Sequence, residues 1–446
     1  MKIRAFRKHQ NKMFAYTMRE RNPALFVDMR LGKTLVTIRR VKLYKPLNLG
    51  VGLRVLVVAP SSAIGSWVDE LEREGGKSLI LSGPKAQRKK SLAAIVECSG
   101  WAIINKEGFL ALPEIANISW DAVILDESTF IKNPRAKVTK FFTQHFRAVP
   151  HRWILTGTPA PETPLEYFPQ LQFLDNRAFG FKNFWQFRAK MFEPGYSGYG
   201  WQPANGTTKT IVEAVSKRAM VMKRSDAGVS IKKVREVRSL ELPKTIRALY
   251  DKAERDFELD GVETIWATTK YLWLRQICGG FANEKLVWDG KLKELVELLT
   301  GELADARVVV WFFFNDELEA AAKLLTAAGV SVERLTGQVK FSARAERLCS
   351  FRNGRARVLL AQQAVAQTGM DLSCADTAIY YSEPPGLLAS QQTEDRILSL
   401  SKKTPLLYIH LLVKNSVDTD IHTLLRGKRF SSDLLAQKIK ERQQCS

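Results

Sequence analysis

Asp28-Met29-Arg30-Leu31-Gly32-Lys33-Thr34 is the stretch on which the reading of this 446-residue chain turns. An apolar run, Ala24 to Val27, precedes it and a helical run, Leu35 to Val41, follows it. The glycine, lysine and threonine therefore sit where a buried strand hands over to a helix. A phosphate-binding loop needs that context: backbone N–H groups at a helix start cradle phosphates, a lysine neutralises the outer phosphates, and a hydroxyl binds magnesium. Gly32, Lys33 and Thr34 take those places. Val27 stands where the strict pattern has its first glycine, and Arg30 replaces a small residue. If Arg30 adopts a positive φ its position is strained; alternatively its guanidinium lies near the phosphates.

Further along, the apolar strand Val123 to Leu125 ends in Asp126-Glu127. A carboxylate pair at a strand end, downstream of such a lysine, fits in-line phosphoryl transfer. Asp126 is expected to hold magnesium together with Thr34, and Glu127 to orient and deprotonate the attacking water. Leu155-Thr156-Gly157-Thr158-Pro159, Gly369-Met370-Asp371-Leu372 and Gln392 with Asp395-Arg396 then follow in order. Arg396 is the candidate for a guanidinium that stabilises transition-state charge when two lobes close. This ordered set reads as a nucleic-acid motor driven by ATP.

The surrounding pattern predicts an α/β fold. Short β-branched runs, Val55 to Val58, Ala102 to Ile104, Ala122 to Leu125 and Trp153 to Leu155, alternate with longer helical stretches, as in a parallel sheet buried on both faces. Each run ends in polar or turn residues, and in open α/β sheets ligands gather at the carboxyl ends of strands. In the second half the predicted strands are Arg307 to Phe314, Val332 to Leu335, Val358 to Leu360, Thr377 to Tyr381 and Leu406 to Leu412. Two tandem parallel-sheet lobes are expected: residues 1–238, with a helical protrusion about 164–238, and residues 239–446, with another about 243–282. Within the first protrusion, Glu193 to Gly206 reads as a surface loop.

Lysine and arginine outnumber acidic residues 68 to 46, a net charge of +22 that attracts polyanions by long-range field and counterion release. No run approaches the roughly 18 apolar residues of a membrane span, and Met1 to Lys8 is too charged for a signal peptide. A soluble, cytoplasmic protein without a membrane partner is expected. The five cysteines have no paired spacing and read as buried free thiols. His9, His145, His151, His410 and His422 show no metal-ligand spacing and read as structural. Trp67, Trp185, Trp201 and Phe184 read as core or loop anchors ahead of base-stacking platforms. Without heptads, a monomer is the default.

The motifs resemble those of superfamily 2 helicase-like ATPases, in particular the SWI/SNF-type branch of double-stranded DNA translocases. The resemblance runs from about Phe6 to Lys428. Asp28-Met29-x-Leu31-Gly32-Lys33-Thr34, Asp126-Glu127-Ser128 with Ile131-Lys132-Asn133-Pro134, Leu155 to Pro159, and Leu274-Arg275-Gln276-Ile277-Cys278 carry it. It implies two RecA-like lobes that use ATP and Mg2+ and act on double-stranded or forked DNA with replication or recombination proteins. A chain this compact resembles the phage and bacterial forms. The resemblance also implies that Gln10 reads adenine and that Arg30, Gly369 and Asp371 line the nucleotide. It places Ser61, Ser62, Asn105, Lys106, Thr158, Thr336, Arg344 and Gln367 on DNA, with Trp67 beside the first of these loops. In the last motif Ser399 stands where the family has a second arginine, which predicts a slow ATPase or one completed by Arg396, Arg30 or a partner.

Overall fold

Ala24–Val27, buried at all four positions, forms strand β1, one strand in from the edge of a seven-stranded sheet. The computed structural model describes residues 4–47, 52–195, 200–228, 231–256, 265–339, 341–366, 370–399, 402 and 404–444. The other strands of the first unit are β2 (Arg54–Val58), β3 (Ser78–Ile80), β4 (Gly100–Ile104), β5 (Ala122–Asp126), β6 (His151–Thr156), β7 (Phe192–Pro194), β8 (Trp201–Pro203) and β9 (Ala219–Met222). The sheet runs β3-β4-β2-β5-β6-β1-β9 with every pairing parallel. Apolar runs such as Val55 to Val58 and Val123 to Leu125 are buried because helices cover the sheet, as a parallel sheet requires. Phe109, Phe142 and Phe146 pack beneath it, the first two stacked at 4.3 Å between centroids.

The segment expected as a helical protrusion contains helices Tyr167–Leu174, Phe184–Met191 and Thr207–Ser216. Two parts of it differ from expectation. The stretch read as a loop forms the antiparallel hairpin β7–β8, with Pro194 opposite Trp201, and β9 leaves the protrusion to join the main sheet beside β1.

The second unit is built on β10 (Lys233–Leu240), β11 (Phe281–Ala282), β12 (Lys285–Leu286), β13 (Val308–Phe312), β14 (Val332–Leu335), β15 (Val358–Gln362), β16 (Thr377–Tyr380) and β17 (Leu406–Val413). Six of these form a parallel sheet in the order β10-β17-β16-β13-β15-β14. The chain is thus α/β, with two large parallel sheets.

The units divide at residue 230, ahead of the expected boundary at 238, and residues 430–446 belong to the first unit. Two causes are visible. The whole of β10 pairs with β17, from Lys233 opposite Leu406 to Leu240 opposite Val413. The helix Val417–Gln444 ends in the first unit's core, with Ile439 fully buried, Lys440 on Asp226 at 2.6 Å and Gln443 donating to the carbonyls of Ser216 and Ala219.

Buried polar struts hold the second unit. Glu394 receives Lys233 at 2.9 Å, Arg235 at 3.1 Å and Arg429 at 2.7 Å, and Lys291 pairs with Asp418 at 2.6 Å with both side chains buried. The histidines of this unit are less isolated than their spacing implied. Glu383, His410 and His422 bring one ligand-type atom each within 4.8 Å. His410 Nδ1 lies 2.5 Å from Glu383 Oε1, whereas two ligands on one tetrahedral zinc stand roughly 3.3 Å apart. The cluster is therefore a hydrogen-bonded strut between β17, the loop after β16 and the last helix.

The cysteine expectation is corrected in part. Cys278 is buried, but Cys98 and Cys349 are exposed and Cys374 is intermediate; Cys445 lies outside the described residues. Among the described residues no helix is long and apolar enough to cross a membrane.

Candidate active site

Strands β5, β6 and β1 lie side by side, and their carboxyl ends bring three sequence motifs together. After β1 the chain turns through Arg30, with φ 68°, and Gly32, with φ 82°, before helix Lys33–Val41 begins. Positive φ is unfavourable for a residue with a Cβ, so the strain anticipated at Arg30 is present. The left-handed backbone favours glycine at 32, and a Cβ built there would come within 2.1 Å of the Gln10 amide nitrogen, so the Gln10 side chain would have to move. Gln10, buried on helix Lys8–Arg19, is held by the Arg7 N–H donating to its Oε1 at 2.9 Å. Gln10 and Gly32 are thus in contact, although 22 positions separate them in the sequence.

Lys33 donates to the carbonyls of Val27 at 2.6 Å and Asp28 at 3.3 Å, within its own loop. Burial pushes its ammonium below the usual lysine value, while Glu127, Asp126 and Asp28 oppose that shift. Thr34 is the second residue of the same helix. Asp28 is anchored from the far end of the protrusion: Arg224 N–H donates to Asp28 Oδ2 at 3.0 Å, and Lys223 Nζ stands 4.0 Å from Oδ1.

Asp126 ends β5 and accepts Trp67 Nε1–H at 2.8 Å and the Glu127 N–H at 3.0 Å. Burial raises its carboxyl, and Trp67, Lys33 and the Glu127 N–H counter that effect. Trp67, 1% exposed, is therefore a buried support for a carboxylate, as the core reading held, and not a surface of the neighbouring loop. Glu127 has φ 54°, another strained position. It turns its side chain onto β6, where Thr156 Oγ1 donates to its Oε1 at 3.0 Å. The same hydroxyl accepts the N–H of Thr158 at 3.1 Å. Ser128 donates to Gln170 at 2.8 Å, and Gln170 donates in turn to the Pro159 carbonyl at 2.5 Å. Two bonded routes, one from Glu127 and one from the adjoining Ser128, therefore lead to the Thr156–Pro159 segment. Asp28, Thr156, Gln170 and Arg224 were not singled out individually as site residues; Asp28 and Thr156 carried a signal inside their motifs, and Gln170 and Arg224 carried none.

Other expected site residues fall in separate places. Asn105 Nδ2 donates to Ser61 Oγ at 3.0 Å, so the loops after β2 and β4 meet, with Lys106 beside them and half exposed. Ser62 lies in the same turn as Ser61. Thr158 is 6% exposed and sits at the base of its loop. In the second unit the Arg344 guanidinium folds back on the carbonyls of Val339 at 2.9 Å and Gly337 at 3.0 Å, fixing the loop that begins at the buried Thr336. The Asp371 carbonyl receives Arg352 at 2.9 Å. Arg396 closes helix Leu387–Arg396, and its carbonyl accepts the Leu372 N–H at 3.0 Å. Gln367 and Gly369 lie outside the described residues.

Residues 9–270 match the SNF2-related domain and residues 290–401 the helicase conserved C-terminal domain. The chain is 23% identical to the p41 protein of Acyrthosiphon pisum secondary endosymbiont phage 1, over 99% of this chain and 100% of that protein. It is 24% identical to the SWI/SNF-related matrix-associated actin-dependent regulator of chromatin subfamily A-like protein 1 of Drosophila melanogaster, over 69% of this chain but only 40% of the fly protein. Among solved structures, the Sulfolobus solfataricus SWI2/SNF2 ATPase core in complex with dsDNA is similar at a TM-score of 0.46 and 18% identity, covering 99% of this chain and 95% of that one.

Proposed function

The chain belongs to the SNF2-related family of helicase-like ATPases, and from that premise we propose that it is an ATP-hydrolysing motor that translocates along double-stranded DNA. The observation that carries this reading is the meeting of Lys33, Asp126 and Glu127 at the carboxyl ends of β1 and β5, with β6 between them.

The residues fit ATP with magnesium. Gly32, at φ 82°, takes a backbone conformation that disfavours a side chain, Lys33 donates to neutral carbonyls of its own loop, and Asp126 and Thr34 would offer magnesium hard oxygen donors. Thr34 and Asp126 would hold magnesium, which when bound would neutralise charge at the outer phosphates. In this reading Gln10 contacts adenine, Arg30 lies near the phosphates, and Glu127 takes the proton of the attacking water. By family resemblance Gly369 and Asp371 are assigned to the nucleotide and Arg396 to the guanidinium that stabilises transition-state charge. Ser61, Ser62, Asn105, Lys106 and Thr158 of the first unit, and Thr336, Arg344 and Gln367 of the second, hold or position the DNA strands. The Glu127–Thr156–Thr158 bonds make the water-orienting carboxylate sensitive to the loop that follows β6. The net charge of +22 favours such a polyanion.

The full-length similarity to a phage protein supports a role in phage or bacterial replication, recombination or fork remodelling, in the cytoplasm of the host. One observation favours a second reading. Ser399, on the segment after helix Leu387–Arg396, stands in place of the second arginine of the motif, which fits an ATP-gated DNA-binding protein that turns over slowly or not at all.

Steady-state ATP hydrolysis by the wild type and Lys33→Ala, measured without nucleic acid and with single-stranded DNA, duplex DNA, a fork and RNA, decides between them. The motor reading expects stimulation by duplex DNA that Lys33→Ala abolishes. Tight ATP binding without turnover on any of these would leave the second reading.

A further inference from the structure

Arg135, Trp185, Arg188 and Trp201 form an alternating stack of guanidinium and indole groups on the first unit. The Arg135 guanidinium lies 4.8 Å from the Trp185 ring centroid, Arg188 lies 5.0 Å from the same centroid, and Arg188 is 4.0 Å from that of Trp201. Three separate segments supply it: the loop that follows the acidic pair, helix Phe184–Met191, and β8.

Part of this arrangement is ordinary anchoring. Phe187, on the same helix, is fully buried, and β7 fixes β8 through Pro194 opposite Trp201. Anchoring leaves three features unexplained. Trp185 is 43% and Trp201 37% exposed, although indoles serving only as anchors are ordinarily covered. Among the described residues no carboxylate pairs with Arg135 or Arg188, and Arg188 Nε is buried without a hydrogen bond, so ring faces alone hold that guanidinium. Among the described residues Arg188 is the one cation and no second ring lies against Trp201, so within them the stack ends on that indole.

Two indoles and two uncompensated cations at stacking distance suit a ligand with flat π faces and negative charge joined in one chain. A duplex keeps its base faces covered by their neighbours, and an acidic peptide has charge without a flat face to extend the stack. We propose that this ladder binds single-stranded nucleic acid, with an unpaired base stacking on Trp201 and the adjoining phosphates drawn to Arg188 and Arg135. The inference rests on the DNA-motor reading and deepens it: the substrate carries an unpaired arm, as a fork does.

The test measures fluorescence anisotropy of the full-length protein with three probes: labelled oligo-dT, an abasic strand of equal length, and a blunt duplex. The proteins are the wild type, a Trp185→Ala/Trp201→Ala double variant and a Trp185→Phe/Trp201→Phe double variant, with thermal melts for each. The expected result is a loss of about tenfold or more in oligo-dT affinity for the alanine variant and retention within about threefold for the phenylalanine variant, with duplex binding unchanged. The wild type should hold the abasic strand as weakly as the alanine variant holds oligo-dT. Equal affinity of the wild type for the abasic strand and oligo-dT overturns the inference, and it does so even if the alanine variant fails to fold. So does an alanine variant that folds and binds oligo-dT normally, or a poly-glutamate chain that displaces oligo-dT from the wild type at equal charge. Duplex-stimulated ATPase, measured alongside, reports separately on the motor: its absence would sink that reading whatever the ladder binds.

Discussion

Thr156 Oγ1 donates to Glu127 Oε1 at 3.0 Å while accepting the Thr158 N–H at 3.1 Å, so one hydroxyl sets both the carboxylate and the loop after β6. Thr156→Val keeps the shape and removes both bonds. Glu127, already at a strained positive φ, would lose its orientation. The expected outcome is a fall in kcat of about 10- to 100-fold with nucleotide affinity kept within about threefold. Steady-state kinetics beside a fluorescent-nucleotide titration would check the split.

Trp67 acts on Asp126 through a single N–H at 2.8 Å. Burial raises the Asp126 carboxyl, and this bond is the first of the effects that lower it again. Trp67→Phe should therefore raise it further, so that ionisation, and with it magnesium binding, is reached at higher pH. The acid limb of the ATPase pH profile is expected to move upward, with the midpoint magnesium concentration rising at fixed pH. A profile that superposes on the wild type would contradict the assignment.

Glu394 is a buried carboxylate clamped by three cations. Burial alone would raise it, but Lys233, Arg429 and Arg235 outweigh burial and hold it at about 2. A depressed folded-state value contributes stability that is present above the unfolded carboxylate value and is lost as pH falls toward about 2. The contribution is on the order of 3 kcal/mol. Glu394→Gln should lower the melting temperature at neutral pH and flatten its dependence between about pH 4.5 and 2, seen by calorimetry across that range.

Arg30 offers a separation of folding from binding. At φ 68° its Cβ is disfavoured, and Arg30→Gly should relieve roughly 1 kcal/mol, less the backbone entropy that glycine loses on folding. If the guanidinium works at the phosphates, the KM for ATP should rise about tenfold while stability holds or increases. Denaturant melts and ATPase titrations on one preparation would show both effects.

The parts legible in the sequence were those whose burial is two-sided. β1, β2, β4, β5 and β6, and the central strands of the second sheet, are continuous apolar runs because helices cover both faces. Of the edge strands, β14 was readable at Val332 to Leu335, whereas β3, β9 and β10 lacked that signal. β10 reads Lys233-Val234-Arg235-Glu236-Val237-Arg238-Ser239-Leu240, and none of its residues is fully buried, so its pairing with β17 was hidden behind a charged, linker-like stretch. The return of the last helix to the first unit depends on the fully buried Ile439 and a few polar contacts, too little to leave a periodic signature. Within the site, Lys33, Asp126 and Glu127 were readable because phosphate chemistry restricts residue types. Trp67 and Arg224 were not, because each supports a carboxylate across a contact that only the fold creates.

β9 lies outside β1 and returns the chain from the protrusion to the sheet that carries the phosphate loop. An accessory inserted between β6 and β9 is therefore clamped at both ends by strands flanking β1. Arg224 follows β9, so a change of length in the segment joining β7 to β8 is not expected to displace it from Asp28. Excising the whole accessory would strip the sheet of its border and leave β1 with an unpaired edge. Diversification in this lineage is expected to concentrate at the hairpin and to spare its roots.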